Sequence, residues 1–178
     1  EPIPSRTLSQ APGGELLEPP RARLGRRVRV AHTAGLSFDA AWDPLLWLFA
    51  GHELHLVDDQ ARRDPQALAA LLEDHEIDVI ETTPSFAEAL LDTGLLDAAR
   101  EDSAQPHPSL IAVGGEDLRQ DLWDRLADLS GVQAVNLYGP TETAVDSMVT
   151  SIGAGNPPHI GSSVRNSRHY VLDSGLRP

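Results

Sequence analysis

Residues 110–138 read LIAVGGEDLRQDLWDRLADLSGVQAVNLY, and this stretch decides the fold class. The run 110–113 is short and apolar, as a buried strand is. Leu118, Leu122, Leu126 and Leu129 then recur on one face of 117–129, which predicts an amphipathic helix. A second apolar run, 132–138, follows as another strand. Strand, helix and strand in such close succession form a βαβ unit, the building block of a parallel sheet.

The alternation continues upstream. Val28 and Val30 alternate with arginines and lead to Ala31, predicting a strand over 28–31. Asp43-Pro44 opens an apolar helix over 45–50 that Gly51 closes, and 52–57 alternates as a strand. Asp64-Pro65 starts a helix running to about residue 76, capped by Asp64 and striped by Leu68, Leu71 and Leu72. A strand is expected at 77–80, a helix at 84–91, and a break at Gln105-Pro106-His107-Pro108. Residues 1–26, with Pro12-Gly13-Gly14 and Pro19-Pro20, read as a linker. The expected architecture is a flavodoxin-like parallel sheet flanked by helices over 27–150, with 151–178 opening a further, β-rich subdomain.

Composition narrows the function. The chain has 178 residues, a formal net charge of −13 and no cysteine. Scattered acidic residues argue against nonspecific nucleic-acid binding, which needs basic side chains on phosphates. Disulfides and thiolate metal sites are excluded. No apolar run is long enough to span a bilayer and no signal peptide is visible, so no membrane role is expected and a cytoplasmic location is. Every non-histidine basic residue is arginine; there is no lysine. The ends at Glu1 and Pro178 read as cuts within a longer polypeptide.

On a parallel sheet, ligands sit beyond the carboxyl ends of the strands. Four clusters fall there: Ser37-Phe38-Asp39, residues 81–84 with Glu81, Gly114-Gly115-Glu116, and 136–143. In the last, Gly139 allows close backbone approach, Tyr138 offers a flat face, Thr141 a hydroxyl, and Glu142 a hard oxygen suited to Mg²⁺. Residue types alone leave a plain turn equally open for this loop, with Thr141 as a helix cap. Gly114-Gly115 alone reads as a turn. Asp39 reads equally as a helix-start residue, whereas a carboxylate at Glu81's strand end calls for a partner.

Asn136-Leu137-Tyr138-Gly139-Pro140-Thr141-Glu142 resembles the signature of nonribosomal peptide synthetase adenylation domains, within the adenylate-forming ligase superfamily. Ser37-Phe38-Asp39, 113–116, 160–164 and 170–173 follow that family's order and spacing, so the resemblance covers about residue 28 onward. It implies activation of an amino acid as aminoacyl-AMP from ATP, then loading onto a carrier protein, with a small accessory protein as a further candidate partner. Tyr138 would stack on adenine beside Asn136 and the Gly114-Gly115-Glu116 backbone. Gly139 would let the loop approach, Thr141 would contact the α-phosphate, and Glu142 would hold Mg²⁺.

The family's specificity pocket carries over to Asp39, Ala40, Trp42, Glu81, Ile111, Val113, Leu137, Val145 and Asp146. Asp39 would pair with the α-ammonium. The stretch from Phe38 to Trp42 is one residue shorter than the commonest pattern, which bears on Ala40 and Trp42. Glu81 and Asp146 would leave two further acids among apolar walls, which a second positive charge on the substrate would resolve. A short diamino acid is the expectation; a polar uncharged substrate, with Asp146 bonded locally, is the alternative.

A truncated binding module without catalysis also fits the sequence. A flavodoxin-like or response-regulator domain fits the α/β pattern but leaves the 138–143 loop unexplained. The family's glycine-rich phosphate loop, ribose-binding aspartate and catalytic lysine find no match in these residues. A single oxyanion-stabilising donor is worth about 10²–10³ in rate. The purified chain alone is therefore expected to form no measurable aminoacyl adenylate; a hydroxamate-trapping assay above background would refute this.

Overall fold

Val30 and Ala31 of the first strand are both buried, one on each face, and most of the sheet repeats this two-sided demand. The computed structural model describes residues 27–96, 108–143, 145–164 and 166–178. The linker expected at 1–26 and the break at 105–107 lie outside the described residues. The elements run β1 (Arg29–His32), α1 (Trp42–Phe49), β2 (Glu53–Leu56), α2 (Pro65–Asp74), β3 (Val79–Thr82) and α3 (Pro84–Asp92). They continue with β4 (Leu110–Val113), α4 (Gln120–Ala127), β5 (Gln133–Tyr138), β6 (Met148–Ser151) and β7 (Ser162–Ser163).

The strands form one sheet in the order β2-β1-β3-β4-β5-β6-β7. From β2 to β5 every pairing is parallel; β6 and β7 add antiparallel at the far edge. The α/β fold expected from the sequence is present, with an antiparallel margin that periodicity did not signal. Ser162–Ser163 thus join the same sheet as residues before 150.

On one face, Ala31, Ile80, Ile111, Val113 and Ala134 pack with Leu68 and Leu72 of α2, Ala87 and Leu90 of α3, and Trp123 and Leu126 of α4. On the other, Val28, Val30, Val79, Ala112, Val135 and Leu137 meet Trp47 of α1. Chain direction reverses across the sheet between β1 and β3: β1 leads outward to β2, β3 leads inward to β4. That reversal is where open α/β sheets bind ligands.

Local chemistry sets the helix ends. Asp64 accepts the amides of Gln66 and Ala67 at 3.0 and 3.3 Å, and Pro65 needs no amide partner in the first turn. Thr83 caps α3 through the Phe86 amide at 3.4 Å. Helix α4 starts at Gln120 rather than 117, because Arg119 is extended and no side chain caps the end. Leu118 still plugs the core, from the preceding loop. Strand β3 starts at Val79 rather than 77 and runs on through Glu81 to Thr82. Asp78 is fully buried and takes the Arg29 amide at 2.8 Å.

Trp123 is fully buried, and its indole N–H donates to the Gly153 carbonyl at 3.0 Å. Its ring lies 5.4 Å from that of His159, whose carbonyl accepts the Asn136 amide at 3.0 Å. The 153–161 loop is thereby tied to the sheet. Trp123→Ala removes both core volume and this tie. It should cost about 3–5 kcal/mol of stability in urea unfolding.

Candidate functional site

A cavity of about 510 Å³ opens at the carboxyl ends of β1, β3, β4 and β5, at the sheet's reversal. Thr33 and Ala34 follow β1; Asp39 and Ala40 come from a 3₁₀ turn, Asp39–Ala41; Glu81 to Thr83 come from β3 and its exit. Gly114 and Gly115 follow β4, and Leu137, Gly139, Pro140, Thr141, Val145 and Asp146 close the far side. Pro44, Phe86 of α3 and Arg62 complete the lining.

A second cavity, of about 440 Å³, adjoins it. Glu116, Asn136, Tyr138, His159 and Ile160 line it, and it shares Gly115, Leu137, Gly139 and Pro140 with the first. Tyr138 leaves its ring half exposed there. Glu116 turns its carboxylate away to take the Ser85 amide and hydroxyl, both at 3.0 Å, at the start of α3. Burial pushes the Glu116 carboxyl up, but the Ser85 and Thr83 donors win and hold it below its ordinary value. Glu142 and Thr141 stand exposed on a 3₁₀ turn, Thr141–Thr143.

Backbone geometry binds the two cavities together. A Cβ on Gly139 would sit 1.9 Å from the Val145 carbonyl oxygen, so only glycine fits. Val145 itself lies at φ +72°, a strained conformation for a β-branched residue, immediately before Asp146.

The wall of the first cavity is acidic. Asp43 is 2% exposed and Asp146 9% exposed, and their carboxyl groups lie within hydrogen-bond reach of each other. Yet one oxygen of each, Oδ2, meets no partner. Both facts hold because two carboxylates are both acceptors; only a proton or an outside donor joins them. Burial pushes Asp43 up to about 8, reinforced by Asp146 and Asp39. Burial also raises Asp146 to about 6, against the lowering effect of its bond to Asp43. Glu81 is driven well above its ordinary value by burial first, then by Asp43 and Asp146. His32 follows Ala31, and Glu81 follows Ile80, its neighbour across the sheet; the two side chains share the α1 face. His32 is buried, and its Nε2 is also without a partner.

A family model described as AMP-binding enzyme matches residues 11–178. The chain belongs to the AMP-binding enzyme family. Within it the chain is a partial adenylation domain of the nonribosomal peptide synthetase type. It is similar to vanchrobactin synthetase VabF of Vibrio anguillarum, with 37% identity over 152 residues. That match covers 85% of this chain and 5% of VabF. Among solved structures it is similar to the synthetase FmoA3 in its AMPPNP-bound form, at 27% identity and a TM-score of 0.72, covering 93% of this chain and 18% of that one. The four-domain synthetase holo-AB3403, bound to AMP and glycine, is similar at 26% identity and a TM-score of 0.73. That likeness covers 88% of this chain and 12% of AB3403.

In this adenylation chain the sequence-derived residues divide by place. Asp39, Ala40, Glu81, Leu137, Val145 and Asp146 converge on the first cavity, with Gly114, Gly115, Gly139 and Thr141. Trp42 is not among its lining and stands 59% exposed. Ile111 and Val113 pack into the core on the α2–α4 face of β4. Sequence reading missed Asp43, Arg62 and Phe86. Asp43 was hidden by its proline: Asp43-Pro44 marks a helix start equally well. Arg62 lay in a connection with no periodic signal, and its guanidinium meets Asp59 at 2.9 Å.

The acid cluster binds protons more tightly folded than unfolded. Its contribution to stability is therefore largest at acid pH and falls as pH rises from about 4, the unfolded aspartate value, through the folded range near 8. Asp43→Asn removes one of the repelling charges. At pH 8 it should raise the melting temperature by a few degrees, on the order of 1 kcal/mol, with the gain shrinking toward pH 4. Scanning calorimetry across that range checks both sign and window.

Proposed function

We propose that this chain is the amino-acid-selecting and ATP-binding part of an adenylation domain, which activates an amino acid as aminoacyl-AMP for a carrier protein. The observation that carries this reading is the shared wall of the two cavities, formed by Gly115, Leu137, Gly139 and Pro140. An amino acid in the acidic cavity and a nucleotide in the other would meet there, carboxylate against α-phosphate. Attack by a carboxylate oxygen on the α-phosphorus would then release pyrophosphate. Holding both reactants in register is itself a large part of such catalysis. Ligands in the similar structures, AMPPNP in one and AMP with glycine in the other, support the assignment of cavities.

Tyr138 would stack on adenine, and the Gly114-Gly115 backbone and Asn136 would flank it. The Asn136 side-chain amide is already committed to the 153–161 loop, so this residue shapes the floor of the nucleotide cavity. Thr141 would offer its hydroxyl to the α-phosphate. Glu142 suits Mg²⁺: its carboxylate is exposed, and no multidentate metal cluster competes among the described residues. Mg²⁺ is commonly held by one or two carboxylates plus substrate phosphates, and supplies charge neutralisation there. With no lysine in the chain, charge on the reacting groups would be stabilised from elsewhere in the parent enzyme.

Asp39 would take the α-ammonium. The further acids Glu81 and Asp146 favour a substrate with a second positive charge, because both line the cavity and the buried Asp146 keeps an open acceptor oxygen that a matching cation would satisfy. A short diamino acid of the 2,4-diaminobutyrate kind is the preferred substrate class, ahead of ornithine, lysine and arginine. In the complete synthetase, cationic amino acids should drive ATP–pyrophosphate exchange at least tenfold above neutral isosteres, the order expected for one matched buried charge. Exchange with neutral amino acids alone would overturn the substrate assignment.

A further inference from the structure

We propose that Asp43, which lies behind the cavity wall, shares a single proton with Asp146 and thereby sets the charge the pocket presents to the substrate side chain. The inference rests on the amino-acid pocket described above. Asp43 sits in the first turn of α1, and the residues on either side of it diverge: Trp42 points to solvent, whereas Pro44 lines the cavity. The Asp43 carboxyl is thus held inside the fold, where it reaches Asp146 and not the cavity itself.

Every element around the pair contributes a titratable or charged group. The 3₁₀ turn brings Asp39, β3 brings Glu81, and β1 brings His32. Arg62 lines the rim of the cavity, with its guanidinium engaged by Asp59. Among the described residues no arginine forms an ion pair with Asp43, Glu81 or Asp146. Two facing carboxylates, each with an unpartnered oxygen and no internal cation, hold one proton between them rather than none.

The shared proton makes Asp146 a tunable acceptor. With the proton retained, the pair carries one negative charge and suits a polar side chain. An entering ammonium replaces that proton, which leaves to solvent, and the pair then carries two negative charges against one new positive charge. Binding of a cationic amino acid is therefore linked to proton release, and its KM falls as pH rises. The KM for ATP in the adjoining cavity, read at saturating amino acid, does not follow. Asparagine at 43 keeps the shape of aspartate and gives Asp146 a permanent N–H donor. Asp146 then stays ionised across the neutral range.

The test uses the complete synthetase at pH 7 without amino acid. Infrared difference spectra of the wild type against Asp43→Asn, and against Asp146→Asn, should each show loss of one protonated-carboxyl band. The contribution of Glu81 remains in all three proteins and cancels. No such band in either difference overturns the proposal, whatever the substrate proves to be. Adding a diamino acid should abolish the band in the wild type. If instead only neutral amino acids bind and the band persists, the shared proton stands and the cationic-substrate reading falls. In exchange assays, Asp43→Asn should hold KM for the cationic substrate near its wild-type pH 6 value and abolish the roughly tenfold fall that the wild type shows as pH rises, while KM for ATP at saturating amino acid stays unchanged, as expected when a fixed N–H stands where the titrating proton was. Matching pH profiles for wild type and variant would also overturn the proposal; melting curves of both variants verify that they fold.

Discussion

Parallel strands that are apolar on both faces must be covered on both faces, and this constraint governs the rest of the molecule. Helix α1 serves one face of the sheet and α2, α3 and α4 the other. The chain can satisfy both only by sending β1 outward to β2 and β3 inward to β4. Their exits then part company, and no backbone fills the space between them. The first cavity occupies that gap. Its position follows from how the core is buried, and its chemistry is left to the loops.

The segments around the cavity bring carboxylates together at its wall. Asp39 and Asp43 come from the continuous turn and helix after β1, Glu81 from β3 and Asp146 from the approach to β6, and no single one of them is unusual. Together they create a local deficit of positive charge, inside a chain already acidic overall. Burial disfavours the ionised forms of Asp43, Glu81 and Asp146, and neighbouring carboxylates disfavour them further. A site tuned this way is poor for a structural role and well suited to a ligand that brings its own charge.

Much of this was legible in the chain itself. The βαβ order, the Asp64-Pro65 start and the 138–143 loop each combine short-range chemistry with a fixed period, and both survive in a one-dimensional reading. Side-chain direction was harder. Ile111 and Val113 alternate correctly with their neighbours, yet periodicity does not say which face of β4 meets the cavity. Trp42 and Asp43 are adjacent in a helix, and residue type points the wrong way: the tryptophan is exposed and the aspartate buried. The antiparallel β6 and β7 were invisible because four- and two-residue strands carry almost no pattern. Helix α4 ended up shorter than its leucine spacing, since Leu118 can be buried from a loop as well as from a helix.

The Glu116 carboxylate acts as a strut between two parts of the site. One end belongs to the loop after β4, beside Tyr138; the other grips Ser85 at the head of α3, the helix that carries Phe86 into the acidic cavity. Ordering one end restricts the freedom left to the other. Under the proposed function, a nucleotide that stilled the loop would lower the entropic cost of fixing the wall that an amino acid would meet. By thermodynamic reciprocity, an amino acid already seated would favour the nucleotide to the same degree. The two cavities are chemically distinct, yet this one side chain fastens the wall of one to the wall of the other.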